Sequence, residues 1–386
     1  MRTIKDNPLL LFLLISLLFW IAAVSINPFP TATITGSYTD HLNFETEAWF
    51  FLHKGFDVFK VPMGELAAVC HALRPHVTWA ELPYDKTLGN LIVFIPFGAI
   101  NNLGLLPEAV VNKLIVCLLI LIAHIAMYYF IDELRKRHAA LAINATLSAI
   151  FYLLLMYWSA NGFSDTISLL FIILAIRFLR EKRNAPGLLC YALSVFMHYR
   201  ALYLFPLGIY ALINLYREGK LSLTSLLRAS TSARIIYSST IVMGALTIYT
   251  AYLSFIKFPY ARIINEVYIS SGGIAHNPLN PGFFSPAWAI PVLAITCLVI
   301  LYLVKSKELL TASTIFVAIL LFSLTPFFQV WYPLFLFPVP LIPKEQRSRV
   351  VTICWLLLSV SILVGAAYSP EWWNTHGVFR KWLETL

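Results

Sequence analysis

Residues 88–104 read LGNLIVFIPFGAINNLG, and whether this stretch crosses a membrane or lies along one decides the topology of everything after it. The stretch is apolar, but it falls short of the roughly 20 residues a crossing helix needs. Pro96 interrupts it, and Asn90, Asn101 and Asn102 would have to be satisfied inside lipid. Charge on either side arbitrates. Apolar windows near 8–26, 110–131, 140–158, 164–180, 186–199, 201–216, 234–255, 286–304, 309–326, 328–343 and 350–368 predict eleven spans. If residues 88–104 stay on one face, 18 of the 28 Lys and Arg residues share the side of the N-terminus, Arg135, Lys136, Arg137, Arg177, Arg180 and Arg183 among them, and 10 lie opposite. If they cross, every later segment inverts and the split becomes 8 against 20, contrary to the positive-inside rule. The sequence therefore predicts an all-α polytopic bundle of about eleven spans with a cytoplasmic N-terminus. Residues 88–104 become an interfacial or re-entrant helix on the outer side.

Composition agrees with this reading. The 386 residues are 59% hydrophobic and 12% charged, against about 45–50% and about 25% in ordinary soluble domains. A soluble enzyme is excluded. The net charge of +9 is scattered in short clusters between apolar runs, which is a topology signal and not a nucleic-acid surface. Arg2 and Lys5 precede an apolar stretch of about 18 residues, longer than the usual core of a cleaved signal, so this first segment reads as a retained span. Cys70, Cys117, Cys190, Cys297 and Cys354 form no metal-binding or disulfide spacing. Without repeats or linkers, residues 1–386 read as one membrane domain, with 27–109 as its first extracytoplasmic loop.

That loop carries eight of the 19 acidic residues: Asp40, Glu45, Glu47, Asp57, Glu65, Glu81, Asp85 and Glu108. An acid held just beyond the first span can act as general base toward a hydroxyl arriving from water, and Asp40 is placed for this; it also reads as a helix cap. On a helix, Asp40 and Glu47 share a face while Glu45 points elsewhere. Asp165 begins the fourth span, where a carboxylate suits the helix dipole whether or not it touches a ligand. The turn Met197-His198-Tyr199-Arg200 fixes a cation at the membrane boundary, where it needs an anionic ligand, a carbonyl or an acid such as Asp165. Guanidinium suits a phosphate, so Arg200 with His198 reads as a candidate phosphate site. A later loop adds Lys257, Arg262, Ser270-Ser271-Gly272-Gly273 and His276, and Gln329, Trp331 and Tyr332 stand at the mouth of the tenth span. Aromatic rings there either stack on a sugar or anchor the helix at the interface. His124, alone in mid-span, reads as a satisfied packing residue.

Asp40 followed by EAWFFLHKGFDVF, the amphipathic stretch 82–104, Asn161-Gly162-Phe163-Ser164-Asp165 and Val330-Trp331-Tyr332-Pro333 together resemble the GT-C superfamily of integral-membrane glycosyltransferases. The likeness is to its polyprenyl-phosphate-sugar-dependent mannosyltransferase and arabinosyltransferase branches. His41 stands where several branches carry a second acid, and Gln329-Val330 where a His often precedes the Trp-Tyr pair.

The resemblance implies inverting transfer of a sugar from a polyprenyl-phosphate donor to a glycan or lipid acceptor, in a bacterial inner membrane with the site facing the periplasm. It implies Asp40 as base, with Arg200, His198, Lys257 and Arg262 on the donor phosphate. Asp165, Glu47, Gln329, Trp331, Tyr332 and His276 would then bind sugar or acceptor. No cofactor is required, and a divalent metal is optional because the leaving phosphate already carries charge. A lipid-linked sugar transporter or flippase and an O-antigen-type polymerase are the alternatives. The scarcity of mid-span ionisable residues weighs against the first, and the early position of the longest loop against the second.

Overall fold

The computed structural model describes residues 7–27, 40–136, 141–221, 230–269, 286–305, 307–324 and 332–342. Among these the chain is all-helical, with no strand. Its α-helices of seven residues or more are α1 (Pro8–Ile26), α2 (Asp40–Lys54), α3 (Met63–Val69), α4 (Leu88–Asn102), α5 (Glu108–Arg135), α6 (Leu141–Ala160), α7 (Asp165–Arg180), α8 (Asn184–Met197), α9 (Phe205–Arg217), α10 (Thr231–Ala251), α11 (Pro286–Lys305) and α12 (Leu309–Leu324). A π-helical turn carries α10 on to Lys257.

Among the described residues, three stretches, Pro8–Ile26, Glu108–Arg135 and Thr231–Lys257, are long and apolar enough to cross a membrane. At 1.5 Å per residue, the 28 residues of α5 extend about 42 Å. α1 starts where the sequence allows it to: Asn7 caps it, its side chain accepting from the Leu10 N–H at 3.3 Å, and Pro8 occupies a first-turn position that needs no donor. Phe12, Ile15, Leu18 and Phe19 on α1 stay exposed, as a lipid-facing surface requires. These features are those of a membrane-associated protein.

The windows at 186–199 and 201–216 give two short helices with a turn between them, where the sequence placed one, and a later window takes another form. α8 stops at Met197, His198 is extended (φ −158°, ψ 129°), and a 3₁₀ turn, Tyr199–Leu204, leads into α9 at Pro206. Residues 328–343 were expected as the tenth span, but their described part forms two 3₁₀ turns, Tyr332–Leu336 and Val339–Leu341. The physical reason is proline: Pro333, Pro338 and Pro340 remove backbone donors and clash with the preceding turn, so no long helix can run through them. The segment fills the core instead, with Phe337 stacked on Phe151 at 4.9 Å between ring centroids and Phe335 fully buried.

Residues 88–104 do form a helix, α4, with Pro96 inside it, whereas 82–87 precede it as loop. α4 lies against α2, and the contact is backbone to backbone. A Cβ on Gly98 would sit 2.5 Å from the Glu45 carbonyl oxygen and 3.2 Å from the Trp49 amide nitrogen, so only glycine allows this approach. Phe44, Phe50, Phe59, Phe94, Leu91 and Ile115 close an apolar cluster around the pair, fixing the first-loop helices onto α5.

Several polar groups inside the bundle are matched. His124 gives its Nδ1 hydrogen to the Ile120 carbonyl at 2.8 Å, leaving Nε2 to accept from Ser16 at 2.9 Å. It is a packing residue tying α1 to α5. At the C-terminal ends of α5 and α7, Arg177 meets Asp132 at 2.9 Å and Glu181 at 3.2 Å, Lys136 meets Asp132 at 2.8 Å, and Arg180 bonds the buried Glu133.

Candidate functional site

The opposite end of α7 is organised differently. α6 turns into α7 through Gly162, whose φ of +83° is a conformation other residues rarely adopt. A Cβ there would also strike the His41 ring, so the turn can close on α2 only because the residue is glycine. This packing brings the Asn161-Gly162-Phe163-Ser164-Asp165 turn to the start of α2, where Asp40 stands partly exposed. Asp165, 5% exposed, receives the Arg200 guanidinium at 2.7 Å and faces His198 Nε2 at 3.4 Å. The Arg200 amide donates to His198 Nδ1 at 3.1 Å, which assigns the ring hydrogen to Nε2, on the Asp165 side. Of the readings the sequence left open for Arg200, its pairing with Asp165 is what the structure contains.

The loop leading into α4 supplies the rest. Lys86 pairs with Asp85 at 3.4 Å, and the Tyr260 hydroxyl donates to Asp85 at 2.8 Å. Tyr84 is buried, donating to Asn90 Oδ1 at 3.0 Å, and Asn90 donates on to Ser164 Oγ at 2.6 Å. Ser254 bonds the Tyr84 carbonyl at 2.9 Å, and Tyr199 and Thr250 share a hydroxyl contact at 3.1 Å. These bonds converge the 84–87 loop, α4, the α6–α7 turn, the end of α8, the end of α10 and the turn at Tyr260 on one polar cluster, against which α2 packs through His41.

Electrostatics sets the carboxyls apart. Burial pushes the Asp40 pKa up; Lys86 opposes, Asp165 and Asp85 add to the rise, and Arg200 opposes. Burial would also raise Asp85, but Lys86, the Tyr260 hydroxyl and Arg200 outweigh it and hold that group below the usual range. Glu47 is raised well above the carboxyl range, by burial first and then by Asp85, against Lys86. Glu45 faces the other way, as its helical offset predicts. It takes a hydrogen bond from Asn101, and burial pushes it up to about 8.

Of the residues singled out in the sequence, Asp40, Glu47, Asp165, His198 and Arg200 gather here. Lys257 and Arg262 are exposed, and Arg262 pairs with Glu266 at 2.8 Å on its own turn. His276, Gln329 and Trp331 lie outside the described residues; Tyr332 opens the first of the two late 3₁₀ turns. Asp85, Lys86 and Tyr260 belong to the cluster without having been assigned a role from sequence. The signal available was a Tyr-Asp-Lys run immediately before a helix. Among the described residues no group of three or more His, Cys, Asp or Glu side chains is arranged to hold a metal ion. Comparison with known proteins gives no match: not to any family model, any curated protein or any solved structure.

Proposed function

We propose that this protein is a glycosyltransferase that moves a sugar from a polyprenyl-phosphate donor onto a hydroxyl of a glycan or lipid acceptor, with inversion. One observation carries the reading: a partly exposed acid of raised pKa, Asp40, shares a cluster with Lys86 and Arg200. A carboxyl raised toward working pH is a better base than an ordinary one. In the proposed step the acceptor oxygen bonds to the anomeric carbon while its proton passes to Asp40. The bond from that carbon to the phosphate oxygen breaks, and polyprenyl phosphate leaves with the electron pair. Lys86 is the cation we assign to the leaving phosphate, because its contact with Asp85 is long, while Arg200 is held by Asp165. Lys257 and Arg262 are exposed, on the segment whose Tyr260 reaches Asp85.

We also propose that the cluster faces the extracytoplasmic side, in a bacterial envelope the periplasm. The charge asymmetry supports this even without a crossing at 328–343, because 15 of the Lys and Arg residues before residue 331 fall on the N-terminal side against 8 opposite. The test is to supply the purified protein in lipid with polyprenyl-phosphate sugars and measure polyprenyl phosphate released. Release that depends on Asp40 supports the transferase. Movement of the lipid between leaflets without release supports a flippase in its place.

A further inference from the structure

Glu47 combines two properties that no other acid in the cluster shares. It is 8% exposed with Oε2 sealed from solvent and without a hydrogen-bond partner, and among the described residues no ion pair reaches its carboxyl. Asp85 is held by Tyr260 and Lys86, and Asp165 by Arg200. The charged and titratable groups around Glu47 are Asp40 on its own helix, Asp85 and Lys86 on the loop before α4, and the Tyr84 phenol. The one cation among them already sits against Asp85. An ionised Glu47 would be a desolvated charge facing two more carboxyls, and a group in that position takes up a proton instead. A carboxylic acid differs from its anion in what it can recognise: it offers one O–H donor and one carbonyl acceptor, where the anion only accepts.

We propose that Glu47 binds the substrate as a neutral hydrogen-bond donor and that its ligand is a hydroxyl of the transferred sugar. A sugar hydroxyl both accepts and donates, so it can meet the acid at the oxygen that is not sealed whether or not that oxygen carries the proton. A phosphate oxygen, which only accepts, can meet it only when that oxygen carries the proton. The placement fits: Glu47 is two helical turns from Asp40 on the same face, with Lys86 near both. The inference rests on the transferase reading for the identity of the ligand, and on burial alone for the state of the side chain.

Infrared difference spectroscopy separates the two. In lipid at neutral pH, the wild-type protein should show a carboxylic-acid carbonyl band, shifted by deuterium exchange, that Glu47→Gln removes. Absence of such a band overturns the proposal. Polyprenyl-phosphate mannose, glucose, galactose and arabinose are then added in turn, with polyprenyl phosphate alone as the control. At least one sugar-bearing lipid should move the band and the control should not; a band moved equally by the control, or by none of the four, overturns the hydroxyl assignment. For binding, Glu47→Gln should weaken the responding donor by a few-fold and Glu47→Ala by about 100-fold, since Gln keeps one donor and one acceptor. Equal losses would mean that the charge matters and would overturn the neutral role. A band that responds to sugar without any transfer keeps Glu47 as a sugar ligand and sinks the transferase.

Discussion

The two ends of α7 solve the same problem in opposite ways. At the C-terminal end, Asp132, Glu133 and Glu181 meet Arg177, Arg180 and Lys136, and each carboxylate has a cation within ion-pair distance. At the N-terminal end, Asp40, Glu47, Asp85 and Asp165 face Lys86 and Arg200, and two of the four acids hold no ion pair. The 16 residues of α7 separate these ends by about 24 Å. Matched charges in a half-buried setting clamp two helices together. An acid surplus, of which Tyr260 holds only Asp85 by a hydrogen bond, leaves carboxyls of altered basicity, the imbalance that the proposed site would use.

Substitutions at the two ends should therefore fail differently. The largest effect belongs to Asp40→Asn, which should lower sugar transfer by about 100-fold to 10,000-fold while leaving thermal unfolding in detergent unchanged. In the wild type, the rate should climb as pH rises through the raised Asp40 pKa, because only the deprotonated base accepts a proton.

Glu133→Ala should do the reverse. It strands Arg180 and should cost about 3–5 kcal/mol of stability, read from chemical unfolding, with transfer by the surviving folded protein intact. Loss of activity ahead of unfolding would erase the contrast between the ends.

Glu45 sharpens it from a third position. Its pKa rises from 4.5 unfolded to about 8 folded, so the native state holds a proton that the unfolded chain has lost. Its stability contribution is complete below about pH 4.5 and is lost as pH climbs to about 8, with no further change above. Glu45→Gln should flatten that slope and make the variant more stable than wild type at pH 8. The smallest effect is expected of Lys136→Ala, whose side chain is 44% exposed, at under about 1 kcal/mol.

Local pattern made some of this legible and tertiary contact the rest. The first helix, Pro8–Ile26, ends where the apolar window ends, because an apolar run that long has one physical solution. The separation of Asp40 and Glu47 from Glu45 follows from helical offset alone. The span expected at 328–343 failed because hydropathy counts apolar side chains and ignores the missing N–H groups of prolines. Asp85 and Lys86 carry no periodicity, and they enter the cluster only because Tyr260, about 175 residues later, folds back onto them. No window along the chain can see a pairing of that range.

At Gly98, α2 and α4 meet backbone to backbone with no side chain between them. A short helix in or along a bilayer changes its tilt as the hydrocarbon thins or thickens, and α4 would hand such a tilt straight to the helix bearing Asp40. Lipid chain length should then act as a throttle on turnover, visible as rates that differ between thin and thick vesicles of the same headgroup. Identical rates across that series would mean that α2 and α4 ride free of the bilayer.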